Sequence, residues 1–457
     1  MKKLVLVNPV GKKSGYLLSR FSTFAPLGLA YIAAATPDTW LVTLKDENIT
    51  PFEYEDADLA AITAFTCSIN RAYEIADIYR TKGVPVIIGG IHASMVPEEV
   101  SQYADSVVIG EVEHIWEQVL TDYEKGTLKK TYYGKRVPTG EKWIQPRRDI
   151  LDERYIWNSV QTSRGCPFDC IFCSVNKYLG SEYRQRPADD VLNELENIRG
   201  TYITFVDDNL IGYSRESRNR AKEIFQGMID RKLNKRWWMQ ASMNIIEDEE
   251  IVRLAAKAGC LFVFIGFEAI EDRILKVMKK GANLKIGINH YKDVVRSLHR
   301  YGIGVMGGFI IGNDNESADY YRRFARYLLH SGIDLCQVSI LTPLPGTDFF
   351  YQIRNQGRLE SDHFPEDWKK YRLSRIVHRI NGITPDEVYW GDNYIKNCIY
   401  NPWAFAYRMV RSFFHLRNFS CFYAVYIFNK ALKRSWKNSS YYRRKPAELA
   451  ESRAYEK

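Results

Sequence analysis

The segment TSRGCPFDCIFCSVNKYLG, residues 162–180, follows the strand-like run NSVQTS and holds three of the chain's eight cysteines: Cys166, Cys170 and Cys173. Their spacing is C-x3-C-x2-C. Three thiolates on one short loop hold three corners of an iron–sulfur cubane and leave one iron open. An open coordination position is where a metal centre does chemistry. Phe168, Ile171 and Phe172 would shield such a cluster, and Gly165 and Pro167 set the turn. The competing reading is structural zinc with a fourth ligand elsewhere. Zinc sites more often show paired C-x2-C units or His partners, and none follows here at suitable spacing.

Beyond the loop, YITFVDD, RWWMQASM, LFVFIGFE, VMGGFIIG and LCQVSILTPLPG read as strands. Helical stretches such as DDVLNELENIRG and EEIVRLAAKAG separate them. With NSVQTS they make six strand–helix repeats, which predict an open or closed β/α barrel over residues 156–350. Barrel chemistry sits at strand carboxyl ends. Asp207 and Asp208, Ser242 and Asn244, Glu268, and residues 343–347 fall there.

Before the loop, residues 1–135 alternate the strands LVLVNP, LAAITAFT, VPVIIGG and SVVIGE with the helices LGLAYIAAAT, INRAYEIADIYRTKG and HIWEQVLTDYEKG. Apolar strands separated by helices predict a doubly wound, Rossmann-like parallel sheet. Ligands bind beyond the carboxyl ends of such strands. Those ends carry Asn8 and Pro9, residues 65–68, residues 89–92, and Gly110 with Glu111. The polar run 127–155, with Gly134, Pro138, Gly140 and Pro146, contains a linker placed at 136–155. The fold class is therefore α/β: a doubly wound parallel sheet, then a partial (β/α)6 barrel, then a mostly helical region over 351–457.

The composition excludes a wholly disordered, collagen-like or disulfide-stapled chain. The 457 residues are 46% hydrophobic and 26% charged, enough for a normal core in roughly three domains. Eight cysteines are too few for a disulfide scaffold, and their clustering points to a reducing compartment. The short apolar run in MKKLVLVNPVGKKSG is cut by Asn8 and Pro9, which predicts a first strand and no signal peptide. No apolar run is long enough for a membrane span. Net charge is +9, yet between residues 393 and 447 stand 11 Lys and Arg with no Asp or Glu. The rest of the chain is slightly acidic.

The cysteine spacing, with an aromatic before the last Cys, resembles the radical S-adenosylmethionine (SAM) superfamily. The likeness extends over roughly residues 1–350. VIIGGIHASMVPEEV and VVIGEVEHIWEQVL look like the cobalamin (B12)-binding domain of such enzymes, and YITFVDDN, FIGFEAI, GGFIIG and LTPLPGT resemble their later strands. Members similar in layout include the anaerobic magnesium-protoporphyrin ester cyclase and hopanoid C-methylases. The resemblance implies a [4Fe-4S] cluster, SAM and cobalamin as cofactors. It implies reductive cleavage of SAM to a 5'-deoxyadenosyl radical, then methyl transfer to an unactivated, lipid-like carbon. A radical cyclase or rearrangement enzyme of the same family is the alternative, and a metal-stabilised ligand-binding protein is the non-catalytic one. The implied partners are a small-molecule or lipid-like substrate and an electron donor such as flavodoxin or ferredoxin. The implied location is cytoplasmic, with peripheral placement on the inner membrane face as a further option.

Carried over, Cys166, Cys170 and Cys173 match the cluster ligands, and Phe172 matches the aromatic near the adenine. Asp208, Asn209, Asn244, Glu268, Gly312 and Pro345 fall at strand ends and loops facing SAM. Pro9, Thr66, Ser68, Gly89, Gly90, His92, Gly110 and Glu111 fall at the cobalamin edge. Apart from the cysteines, these residue types also serve as helix caps and turn formers. One departure stands out: no His has an Asp two residues before it, so the cobalt-ligating D-x-H-x-x-G is absent. His92 is a ligand-facing residue or a surface-loop histidine.

Other signals are weaker. Gly302, Gly304 and Gly307 spell G-x-G-x-x-G, but after a helix and before a strand, which is the wrong order for a dinucleotide fold. Cys260 and Cys336 read as core, and Cys67 as a pocket-lining residue. The region NPWAFAYRMVRSFFHLRNFSCFYAVYIFNKALKRSWKNSSYYRRK packs on the barrel mouth, meets a membrane or lipid substrate, or, least expected, binds nucleic acid. The closing AELAESRAYEK reads as a frayed tail.

Overall fold

Long apolar runs bounded by turn residues give this chain two parallel sheets of six strands each. The computed structural model describes residues 1–10 and 23–437. The first sheet contains β1 (Lys2–Asn8), β2 (Trp40–Asp46), β3 (Leu59–Thr63), β4 (Val86–Gly89), β5 (Ser106–Ile109) and β6 (Thr131–Tyr133). Their order is β2-β1-β3-β4-β5-β6. The four strands expected from sequence, β1, β3, β4 and β5, lie together in the middle and are largely buried. The two that were not read, β2 and β6, are the edges. In β2, WLVTLKD mixes buried apolar positions with half-buried Thr43 and Lys45 and an exposed Leu41, and β6 is only three residues inside a polar run. Edge strands need no continuous apolar run, so they carry a weaker signal.

The second sheet begins at β7 (Asn158–Val160). A short antiparallel ribbon follows, β8 (Ser163–Arg164) paired with β9 (Arg184–Gln185). Then come β10 (Tyr202–Phe205), β11 (Arg236–Ala241), β12 (Cys260–Glu268), β13 (Gly304–Ile311) and β14 (Leu335–Ile340). The order β14-β13-β12-β11-β10-β7 leaves β7 and β14 as free edges, so the sheet is open. The expected first strand NSVQTS splits. Regular pairing stops at Val160, because the Thr162 N–H is taken by the Asp207 carboxylate and not by a ladder partner. Gly304 and Gly307 lie in β13 after the helix Tyr291–Arg300, as their order in the sequence requires.

After β14 the chain returns to the first sheet. Phe350, Trp368, Tyr371 and Val377 join the core of that sheet, and Trp368 Nε1 donates to Glu99 at 2.9 and 3.0 Å. The chain ends in helices Pro385–Tyr400, Pro402–Leu416 and Phe419–Lys437. The last two pack under the amino ends of β12, β13 and β14. Arg408 and Asn429 both donate to the Asp334 carbonyl, Ser412 donates to its carboxylate, and Cys421 Sγ lies 3.6 Å from the Cys260 carbonyl. The inner face of this hairpin packs on the barrel, but not on its mouth as expected. It closes the opposite end, away from the cysteine loop, because its polar groups meet Asp334 and Cys260 at the amino ends of the strands. Cys260 and Cys336 are buried in the barrel core. Among the described residues no helix is long and apolar enough to cross a membrane. The expected frayed tail, residues 447–457, lies outside the described residues.

One buried base in the returning segment makes stability pH-dependent. His378 packs edge-on to Phe349 with ring centroids 5.4 Å apart, and its Nδ1 has no hydrogen-bond partner. Burial, aided by the Arg358 charge, pushes it down from 6.5 to about 4. It is neutral in the folded protein at neutral pH and gains a proton on unfolding below its ordinary value. Its contribution is complete above that value and is lost as the pH falls toward the folded one. Going from about pH 7.5 to pH 5.5 should cost about 1.4 kcal/mol through this group. His378→Gln should remove that share of the acid-side loss, measured by chemical denaturation at both pH values.

Candidate active site

The cysteine loop is held at its base by one carboxylate. Asp207, at the end of β10 and fully buried, accepts from the Thr162 N–H at 3.0 Å, the Thr162 hydroxyl at 2.8 Å and the Ser163 hydroxyl at 2.5 Å. Arg220 and the Arg186 N–H both donate to the Thr162 carbonyl, at 2.7 and 3.0 Å. Gly165 then turns at φ +87, where a side chain would collide with the Glu182 carbonyl. Within the loop, the Cys173 N–H donates to the Cys170 carbonyl and Asn176 Nδ2 donates to the Cys166 carbonyl. Further out, the Ile171 N–H donates to Met278 and the Phe349 N–H donates to Ile171, which ties the loop to the barrel rim.

The three loop thiols are free, as is every cysteine among the described residues. Burial raises all three, Cys173 to about 12. Such thiols give up their protons only to a strong cationic partner, as a metal cluster is. No three His, Cys, Asp or Glu side chains among the described residues converge on one ion. A cubane does not ask for that, because its thiolates bind separate corners. The donor set fits a cluster better than a single zinc ion.

Around the thiols stand polar groups at the ends of β10, β11 and β12. Asp208 opens into the cleft; its enclosed position and the Asp207 charge push it up to about 7. Asn209 and Asn244 are both buried, both donate to the Gly212 carbonyl, and each keeps an Oδ1 with no hydrogen-bond partner. Glu268 sits at the slipped end of β12 with φ +63 and pairs with Lys280 at 2.7 Å. Burial alone would lower the Lys280 ammonium, but the Glu268 carboxylate and nearby thiols hold it well above its usual range. Phe172 is half-buried against Ile171, Leu341 and Phe349. Gly312 and Pro345 are placed differently. Gly312 packs toward Ile340, Ile380 and Val388, and Pro345 is buried on a loop whose next residue, Gly346, abuts Met95.

A cavity of about 350 Å³ opens between the two sheets. Its walls are mostly apolar, from Leu27, Ile62, Ile87 and Val108, and strand-end residues of both sheets border it. Of the expected cobalamin-edge residues, Gly89, Gly90, Gly110 and Glu111 line it. Gly90 has φ +93, and a side chain there would run into Thr63 and Ala64. Pro9, Thr66, Ser68 and His92 are not among the lining residues. His92 is fully buried; its Nδ1 lies 3.2 Å from the Thr66 hydroxyl and its ring packs edge-on to Trp368. It is neither on the cavity wall nor on a surface loop. The apolar walls and the bare strand ends fit a large, flat organic cofactor lodged against the sheet edge.

Several residues of this site carry no local signal. Arg164 lines the cavity, bonds Glu111 at 2.7 Å and Glu113 at 2.5 Å, and stacks 4.3 Å over the Trp143 ring. Arg184, from β9, pairs with the same Glu111 and donates to the Val137 and Leu179 carbonyls. Burial would raise Glu111, but the two guanidiniums hold it below the usual carboxylate range. Tyr213 places its hydroxyl 4.0 Å from Cys166 Sγ and 2.9 Å from the Ser242 hydroxyl. Only the position of Arg164, two residues before the first cysteine, offered a hint.

Two family models match the chain: the radical SAM superfamily over residues 160–328 and the B12 binding domain over residues 14–120. The chain is 30% identical over 390 residues to bacteriochlorophyllide d C-12(1)-methyltransferase of Chlorobaculum tepidum, covering 81% of each protein. It is 28% identical over 357 residues to hopanoid C-2 methylase of Rhodopseudomonas palustris, covering 74% of this chain and 66% of that one. In fold it is similar to the radical SAM methyltransferase TsrM of Kitasatospora setae with cobalamin and [4Fe-4S] cluster bound. That match has a TM-score of 0.69 and 17% identity, covering 96% of this chain and 100% of that one.

The Asp207 clamp makes a direct prediction. Asp207→Ala strands three buried donors and should cost about 3 kcal/mol in urea denaturation. It should also lower the iron retained after anaerobic reconstitution, with Asp207→Asn falling between it and the parent protein.

Proposed function

This chain belongs to the B12-binding radical SAM methyltransferases, and from that premise we propose that it places a methyl group on an unactivated carbon of an apolar, lipid-like small molecule. Its cofactors are a [4Fe-4S] cluster, SAM and cobalamin. One observation carries the reading: Arg164 walls the apolar cavity and stands two residues from Cys166, so the two cofactor sites share a boundary. When bound, the cluster with SAM supplies an organic radical and cobalamin supplies the methyl group.

The chain's own residues bind, orient and exclude. In this reading the Cys166, Cys170 and Cys173 thiolates hold the cluster at three corners. The Glu268–Lys280 pair offers one group of each sign to the charged end of methionine. Asn209 and Asn244 present unpartnered carboxamide oxygens to hydrogen-bond donors of the nucleoside. Phe172 covers the cluster on the side of Leu341 and Phe349. Gly89, Gly90, Gly110 and Glu111 border the cobalamin, and the apolar walls keep water away from it. An apolar methyl acceptor agrees with those walls and with relatives named for bacteriochlorophyllide and hopanoid methylation. A small flavin or iron–sulfur protein, of the flavodoxin or ferredoxin kind, would supply the electron. Free cysteines throughout the described residues agree with a reducing, cytoplasmic setting.

After anaerobic reconstitution the parent protein should carry about four irons and release 5'-deoxyadenosine when given SAM and a reductant. Cys170→Ala should lose both. Mass spectrometry of lipid and pigment extracts from a strain lacking the gene should show a product short of one methylene. Unchanged iron content in Cys170→Ala, or a missing ring in place of a missing methylene, would defeat the proposal.

A further inference from the structure

The hairpin of helices Pro402–Leu416 and Phe419–Lys437 has two unlike faces. Its inner face lies in the barrel core through residues such as Met409, Val425 and Phe428. On the outer face, Trp403, Tyr407, Val410 and Phe414 recur at helical spacing and form one stripe. They are 86%, 49%, 57% and 68% exposed. Phe419 and Tyr423, also exposed, continue the apolar surface onto the second helix. Scattered exposed apolar residues are ordinary; a continuous stripe is not.

Farther along the second helix the outward positions turn basic: Lys430, Arg434 and Lys437. No acidic residue occurs between residues 393 and 447, so neither helix neutralises these charges from within. Arg443, Arg444 and Lys445 extend the basic run in sequence. An exposed stripe of Trp, Tyr and Phe beside uncompensated Lys and Arg matches a bilayer interface. Aromatic rings settle at headgroup depth, and the cations meet lipid phosphates.

We propose that this outer face docks the enzyme peripherally on an anionic lipid bilayer, with both helices lying along the interface. Neither helix is long and apolar enough to cross it. A second copy of the chain fits less well. Two-fold pairing through this face brings the same basic strip against itself, and lysine is depleted from protein interface cores. Cations do stand over aromatic rings here, Arg411 over Tyr407, Lys430 over Tyr426 and Lys433 over Phe405, at 5.0–5.7 Å. Nucleic acid also accepts that arrangement, so retention of single-stranded nucleic acid without binding to anionic vesicles would overturn the proposal. The hairpin covers the amino ends of the barrel strands, while the cysteine loop follows the carboxyl end of β7. Docking therefore leaves the cavity between the sheets open, and it stands whether or not the methyl acceptor is a lipid.

The test is co-sedimentation of the full-length holoenzyme with vesicles of phosphatidylcholine alone or mixed with phosphatidylglycerol. Pelleting is expected with the anionic vesicles, roughly tenfold weaker with the neutral ones and weaker at high salt. Trp403→Ser combined with Phe414→Ser should reduce binding to anionic vesicles roughly tenfold, as should Lys430→Glu combined with Lys437→Glu. All four side chains face solvent, so both variants should keep the parent's circular dichroism and melting curve. No pelleting with anionic vesicles, or equal pelleting by folded variants, would overturn the proposal. So would a concentration-dependent dimer that the Trp403 and Phe414 substitutions abolish, since the face would then belong to a second copy.

Discussion

A carboxylate buried between two guanidiniums sets the relation of the two sheets. Glu111 follows β5 of the first sheet, while Arg164 and Arg184 stand opposite each other on the β8–β9 ribbon of the second. Buried ion pairs contribute little net stability, because desolvation cancels most of the attraction. Removing one partner is another matter, costing about 3–5 kcal/mol through the stranded charge. Such a network therefore acts mainly on position. Any slide of one sheet edge past the other would strand Glu111, and Arg164 would carry the start of the cysteine loop with it. Arg164 is held further by Glu113 and the Trp143 ring, so its rotamer is fixed from several sides.

The neighbouring carboxylates Asp207 and Asp208 show how one strand end serves structure and site together. Asp207 points inward, is saturated by Thr162 and Ser163, and fixes where β7 ends and the ribbon begins. Asp208 points into the cleft, lacks those donors and feels the charge of its neighbour. Side chains alternate along an extended strand end, so two adjacent acids fall on opposite sides of the chain. The same arrangement recurs at β12. The slip in register at Glu268 turns that carboxylate toward Lys280 and away from the next ladder position.

The parts of this molecule legible in its sequence are those written locally. Buried parallel strands appear as apolar runs, which is why the middle four strands of the first sheet and all six of the second could be read. The edge strands β2 and β6, half polar or very short, could not. The cysteine spacing is local and identified the loop at once. Glu111 and Arg184 are 73 residues apart, and His92 and Trp368 are 276 residues apart. No periodicity encodes such pairs. In sequence His92 reads as ligand-facing or as a surface-loop histidine. Neither reading sees its burial, because the segment that covers it, around Trp368, returns to the first sheet only after the barrel is complete. Lys280, in the run MKKG, resembles a solvated helix end until Glu268 of β12 is placed beside it.

The same topology explains why one apolar surface remains uncovered among the described residues. In parallel sheets every strand begins at one end and finishes at the other, so strand ends of like kind gather together. Here the carboxyl ends of both sheets border a common cavity and enclose its chemistry. The amino ends of the barrel strands must be closed by something else, and the chain uses its last two described helices. A helix in that position needs only one apolar stripe. Helix Pro402–Leu416 has two, one toward Asp334 and the barrel floor and one toward solvent. Packing accounts for the first, and the second is surplus to the fold's own needs. Its meaning has to be sought in contacts that the described residues do not make among themselves.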